Sequence, residues 1–317
     1  MIQATVKKVW LCLLCGTLLS VGCTNALEHQ THERSEIAAS NPDNENQLRD
    51  RIEQISRTAQ GQVGVTATVL ETGESVTLNG EQQFPMQSVY KFPIAMAVLS
   101  QVDRGTLNLD RKVRVETRDF ALERQHSPIR DQHPQGVELT LAELLKYMVS
   151  ESDNTACDVL LGLVGGPEVV TQYLRDLGIN DMVVANTERE IGQDNAVQYR
   201  NSATPDAAVA LLSRLHEGQG LSASSQALLL QWMTETPTGL KRIKGLLPEG
   251  TVVAHKTGTS GTVEGVTAAT NDVGLVTLAN GRHLAIAVFV SDSTADQATR
   301  EAAIAQIARA AWDRWSQ

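Results

Sequence analysis

Gln87-Ser88-Val89-Tyr90-Lys91-Phe92-Pro93 is the stretch around which the chain is organised. Ser88 and Lys91 stand three apart, close to one helical turn, so a helix opening here puts both side chains on one face. A serine hydroxyl is a poor nucleophile until a base takes its proton. A lysine held close and withdrawn from water can serve as that base. The amino end of a helix also aims backbone N–H groups at negative charge developing beside Ser88. The following residues, Ile94-Ala95-Met96-Ala97-Val98-Leu99, are all apolar, which predicts a buried helix. Proline is tolerated only in a first turn, so Pro93 sets the helix start near Ser88. Ser-x-x-Lys alone is a weak signal. About one copy is expected by chance in a chain this long, and a capped helix start with a solvated lysine explains it more simply.

Outward from this stretch the pattern is asymmetric. Residues 47–60 read as a helix with Leu48, Ile52 and Ile55 on one side, closed by Gly61. Residues 63–71 alternate as a strand, Thr72-Gly73 turns, and residues 75–78 return. The middle is mostly helical, most clearly over 141–149, 158–164, 168–177, 206–216 and 222–233. Strand character resumes at 251–256, 265–269 and 273–278. An Asn280-Gly281 turn leads to 283–290, and 296–315 closes the chain as an amphipathic helix. This predicts an α+β fold. A five-stranded antiparallel sheet, built from both chain ends and covered by the terminal helices, forms an α/β sandwich from residues 47–86 and 234–317. Residues 87–233 form an all-α lobe, and a site lies at the seam.

Of the 317 residues, 42% are hydrophobic and 20% charged, a globular composition. The formal net charge of −10 and pI near 5.2 argue against nucleic acid and anionic membranes as partners, and only 4% aromatic residues leaves little for base stacking. Lys7 and Lys8 precede an apolar run over 9–21 that is too short to span a bilayer, so residues 1–26 read as a signal peptide for export to the periplasm. Thr24-Asn25-Ala26 offers one cleavage site. Gly22-Cys23 offers a lipoprotein alternative, with a lipid anchor at Cys23. Residues 27–46 read as a mobile leader, in which His29, His32 and Glu33 have the look of a solvated tail. Beyond Cys12, Cys15 and Cys23 only Cys157 remains, so no internal disulfide is expected, and Cys157 reads as a small buried hydrophobe. The seven histidines are scattered; His29 and His32 have metal-like spacing but no apolar helix around them, and none pairs with a second ligand on a plausible helix, so neither metal nor cofactor is expected.

Two further motifs follow in order: Ser152-Asp153-Asn154 and Lys256-Thr257-Gly258. Each tripeptide is expected by chance in only a few chains per hundred. With Ser88-x-x-Lys91 they resemble the class A serine β-lactamases and the penicillin-binding proteins, from about Gln47 to the carboxyl end. Val149-Ser150-Glu151-Ser152-Asp153-Asn154, Val197-Gln198-Tyr199-Arg200-Asn201 and Ala254-His255-Lys256-Thr257-Gly258-Thr259-Ser260-Gly261 are similar to the PER and VEB branch of extended-spectrum enzymes.

The resemblance implies a β-lactamase/transpeptidase-like fold and a division of roles. Ser88 attacks the lactam carbonyl, and Lys91, or Glu188 through a water, takes its proton. The N–H groups of Ser88 and Thr259 form an oxyanion hole. Ser152 relays a proton beside Lys256, and Glu188 activates the water that releases the product. Glu190 is a rival to Glu188, which fits better by its distance to Asn201 and Pro205. Asn154 holds the substrate amide, and Thr257, Gly258, Thr259 and Ser260 receive the substrate carboxylate. Asp153 braces its loop. Many members carry an arginine on the next strand, where this chain aligns Glu264. Arg242 matches an alternative arginine and reads equally well as a surface charge. Gly192 and Asn201 depart from the usual loop residues. They predict a differently folded loop and a widened pocket, suited to bulky oxyimino-cephalosporins. The implied partner is a small-molecule β-lactam bound by a monomer. A D,D-peptidase and a β-lactam sensor without turnover share the three motifs and remain open alternatives.

Overall fold

The computed structural model describes residues 42–317. The signal-peptide, lipid-anchor and leader expectations over residues 1–41 lie outside them. The first helix, α1 (Pro42–Ser56), begins five residues ahead of the expected boundary and buries Leu48 and Ile52. Strands β1 (Gln62–Val69) and β2 (Ser75–Leu78) form the expected hairpin. The short β3 (Phe84–Pro85) leads to a 3-10 turn, Gln87–Tyr90, and then α2 (Lys91–Asp103). The stretch around Ser88 therefore opens a helix as its sequence predicts, through one tighter turn.

The helical layer contains α3 (Pro128–Gln132), α4 (Leu141–Val149), α5 (Asn154–Val164), α6 (Pro167–Asp176), α7 (Glu188–Gln193), α8 (Pro205–His216) and α9 (Ala223–Thr234). Four short strands interrupt it: β4 (Lys112–Val115) pairs with β5 (Val137–Thr140), and β3 joins β6 (Met182–Val183) and β7 (Ser202–Ala203). They are too short for their alternation to be read from sequence. Helix α5 starts four residues before the sequence reading because Asp153 caps it, accepting from Ala156 N at 2.8 Å.

The chain ends with β8 (Val253–Thr259), β9 (Thr262–Val263), β10 (Val266–Thr277), β11 (His283–Ser293) and α10 (Gln297–Trp315). The main sheet is antiparallel in the order β2-β1-β11-β10-β8, with β9 added on β10. The sequence reading broke β10 into two strands at Thr270-Asn271-Asp272. These polar residues are fully buried inside one strand because each has partners. Thr270 accepts from Arg300 Nε (2.8 Å), Asn271 donates to Pro85 O (2.8 Å), and Asp272 accepts from Ile243 N (3.1 Å).

Period-two alternation sends side chains to two cores. On β11, Leu284, Ile286, Val288 and Val290 join Val63, Val65, Ala67 and Val69 beneath α1 and α10. Ala285, Ala287 and Phe289 face the helical layer, with Val273 and Leu275 of β10. Helix α8, though it lies in the helical block of the sequence, packs against β1 and β11. The described residues, 42–317, form one compact unit with a core on each face of the sheet.

Candidate active site

A cleft of about 590 Å³ opens beside the end of β8, lined among others by Ser88, Ser152, Asn154, Glu188, Thr257 and Thr259. Three distant stretches build it. Gln87, in the left-handed region at φ 47°, turns the chain into the 3-10 turn that presents Ser88. Lys91 Nζ donates to Ser88 Oγ at 3.1 Å, to Ser152 O at 2.7 Å, and to Asn154 Oδ1. The same ammonium stands 3.2 Å from Glu188 Oε1, with both side chains almost wholly buried. Glu188 Oε1 has no hydrogen-bond donor of acceptable geometry among the described residues, so an acceptor aimed at this amine stays available.

Ser152 connects the two lysines. It sits at φ 59°, a strained region for a residue with a Cβ. That conformation gives its carbonyl to Lys91 while its Oγ accepts from Lys256 Nζ at 2.9 Å. Burial pushes Lys256 down to about 7, the neighbouring Lys91 charge adds to this, and Asp272 and Glu188 pull the other way. Asp153 is buried and accepts from Ile129 N (2.7 Å) and Ser127 Oγ (3.2 Å), bracing the loop as expected.

Gly258 is required by a close approach. A Cβ there would stand 2.2 Å from Met86 O and 3.3 Å from Ser88 N. Asn271, opposite Gly258 on β10, holds the same segment through Pro85 O and Met86 O. Thr257 is buried, with its hydroxyl 2.9 Å from that of Thr238, while Ser260 is tied to Ala269. Arg242 is not a surface charge. It is 4% exposed and reaches Thr259 Oγ1 (2.7 Å), Gly258 O (3.1 Å) and Asn271 O (2.9 Å), paired with Glu301 at 3.3 Å. Glu264, which the sequence reading aligned with a strand arginine, is an exposed turn residue at φ 51° between β9 and β10, which pair with each other.

The Glu188 loop separates the two rival carboxylates. Thr187 caps α7, and Glu190 closes a capping box by accepting from Thr187 N at 2.8 Å. Glu190 is thus spent on its own helix, while Glu188 faces Lys91. Asn201, fully buried, ties this loop: its Oδ1 accepts from Ala185 N (2.8 Å) and Asn186 N (2.9 Å), and its Nδ2 donates to Asn186 O (2.9 Å).

Two positioning residues escaped the sequence reading. Asp158 accepts from the N–H groups of Glu188 (2.7 Å) and Arg189 (2.9 Å), and burial followed by the Glu188 charge raises it to about 6. With α5 starting at Asn154, Asp158 is an acid inside an apolar helix, which was the available signal. Gln125 donates from Nε2 to Glu188 O at 2.6 Å. A Cβ on Gly192 would fall 2.6 Å from Gln125 Oε1, so the glycine makes room for this side chain. Nothing in the local sequence marks Gln125. Cys157 is free and buried, and its thiol is pushed up by burial.

Comparison with known proteins agrees with this geometry. Residues 47–315 match the model of the Beta-lactamase enzyme family. The chain is 45% identical over 267 residues to the extended-spectrum β-lactamase PER-1 of Pseudomonas aeruginosa, covering 84% of this chain and 86% of the relative. It is 40% identical over 279 residues to β-lactamase VEB-1 of the same species, covering 87% and 93%. Among solved structures, a β-lactamase from Chitinophaga pinensis matches with a TM-score of 0.83 at 48% identity, over 84% of this chain and 99% of that one. The TLA-1 extended-spectrum β-lactamase matches with a TM-score of 0.84 at 43% identity, over 86% and 100%.

Proposed function

The chain belongs to the class A serine β-lactamases and hydrolyses β-lactam rings; from that premise we propose how its residues divide the reaction. Ser88 Oγ bonds to the lactam carbonyl carbon while its proton passes to Lys91, or through a water to Glu188. The negative oxygen is held by the N–H groups of Ser88 and Thr259, each such donor being worth about 3–4 kcal/mol. As the C–N bond breaks, Ser152 delivers a proton to the ring nitrogen, with Lys256 setting its electrostatics. Glu188 then takes a proton from a water that attacks the ester, and Ser88 leaves as the free hydroxyl. Asn154 orients Lys91 and the substrate amide. Thr257, Thr259 and Ser260, beside Lys256, receive the substrate carboxylate. Gly258 lets β8 come close, and Arg242 orients the Thr259 hydroxyl.

The observation that carries this reading is one ammonium within 3.1 Å of Ser88 Oγ and 3.2 Å of Glu188 Oε1. An amine and a carboxylate gathered beside one hydroxyl support turnover over a D,D-peptidase or a silent sensor. Glu188→Ala should trap a covalent adduct on Ser88, seen as a mass increase equal to the β-lactam. Wild-type turnover by that variant would remove Glu188 from the mechanism. Oxyimino-cephalosporins are proposed as substrates, on the volume of the cleft and the extended-spectrum relatives. Periplasmic export as a monomer is proposed on the sequence of residues 1–26. Fractionation and fatty-acid labelling distinguish cleavage at Ala26 from a lipid anchor at Cys23.

A further inference from the structure

In sequence no histidine pairs with a second ligand on a plausible helix, yet the fold brings two of them together. Glu71 lies in the turn between β1 and β2, His216 ends α8, and His283 opens β11. One donor atom from each falls within 4.8 Å of the others. The sequence reading did not address such a grouping. It considered spacing along single helices, while these donors come from three separate elements.

The cluster is built on the opposite end of the sheet from the active site. His283 pairs with Thr277 on β10, whereas Thr270 pairs with Thr259 at the cleft. Seven residues of strand separate the two ends, roughly 23 Å. Glu71 is fixed twice: Oε2 accepts from His283 N at 2.8 Å, and Oε1 stands 2.6 Å from His283 Nδ1. The His216 and His283 rings lie with centroids 4.4 Å apart, tilted by 44°. His216 accepts from Gln226 through its carbonyl (2.9 Å), and no hydrogen bond engages its ring among the described residues. The nearby arginines, Arg282 and Arg314, are paired with Glu74 at 3.7 and 3.6 Å.

We propose that Glu71, His216 and His283 form a binding site for a divalent transition-metal ion of the zinc type, remote from catalysis. Two imidazoles and a carboxylate are the donor set zinc takes, and the exposure of Glu71 leaves a further coordination position to solvent. With donors no more than 4.8 Å apart, a central ion stands at most about 2.8 Å from each. Bonds of ~2.0–2.1 Å then need side-chain shifts below roughly 1 Å. The bound ion adds a tie between the carboxyl end of α8, the β1–β2 turn and the β10–β11 hairpin, beside the Glu71–His283 hydrogen bonds and the Arg282–Glu74 pair already there. It therefore stabilises the fold without entering the reaction.

The test uses the full chain stripped with a chelator and titrated with Zn²⁺ against a chromophoric competitor. One equivalent should bind, at least about tenfold more weakly in His216→Ala and in His283→Ala. Binding should persist when leader residues His29 and His32 are both replaced by alanine. Zinc should raise the melting temperature of the wild type and not of His216→Ala, while nitrocefin turnover stays unaltered in both. Absence of binding at about 100 μM Zn²⁺, binding undiminished in the two histidine variants, or binding abolished by the leader substitutions would each overturn the proposal.

Discussion

Gly192→Ala tests whether Gln125 positions the Glu188 loop. The new Cβ would fall 2.6 Å from Gln125 Oε1 and 2.7 Å from Cδ, so the amide must move. Moving it forfeits two hydrogen bonds, Nε2 to Glu188 O (2.6 Å) and Leu122 N to Oε1 (3.1 Å). Each is worth about 1 kcal/mol, and more where a buried partner is left unsatisfied. Against this stands the helix-propensity gain of alanine over glycine, at most about 1 kcal/mol. The clash wins by about 1–2 kcal/mol, felt at the backbone that carries Glu188. At ~1.4 kcal/mol per tenfold, deacylation slows by roughly tenfold while acylation, which can draw on Lys91, changes little. Stopped-flow bursts with nitrocefin and mass spectrometry of the accumulated acyl-enzyme separate the two steps. In a Gln125→Ala background the same substitution meets open space and should cost almost nothing further. Unchanged deacylation in the single variant, or equal damage with and without Gln125, would refute the coupling.

Asp158, raised to about 6 against an ordinary 3.8, contributes stability that is complete below the lower value and lost as pH rises through the upper one. Below about 6 it also loses the charge that holds the Glu188 and Arg189 N–H groups, so kcat for a deacylation-limited substrate should fall there; Asp158→Asn should lower kcat and abolish that limb. Lys256, pushed down to about 7, is charged only below that pH, so kcat/KM for anionic β-lactams should decline as pH rises through 7, and Lys256→Arg should flatten the profile. Arg242→Ala leaves Glu301 buried without its partner, a loss of about 3–5 kcal/mol seen as a lower melting temperature. It should also raise KM for cephalosporins; an unaltered KM would remove Arg242 from substrate binding.

What was legible in the sequence was whatever repeats locally or is chemically rare. The hairpin of β1 and β2, the helix entered at Ser88 and the three motif stretches all carry their signal within a few residues. Partners from elsewhere in the chain hid the rest. Thr270-Asn271-Asp272 looked like a break because Arg300, Pro85 and Ile243, which satisfy it, are remote in sequence. Arg242 looked like a surface charge for the same reason, its acceptors lying on β8 and β10. Gln125 is an ordinary glutamine until Gly192 and Glu188 stand beside it.

Helix α2 buries ten consecutive residues, Lys91–Ser100. Its amides should exchange with solvent only when the whole molecule opens, so the lysine that serves the nucleophile is as durable as the protein itself. A substitution there endangers folding before it can retune chemistry. Evolution toward new drugs is therefore channelled to the rim, to the loop carrying Glu188 and the β9–β10 hairpin, where a changed side chain alters the guest without threatening the host.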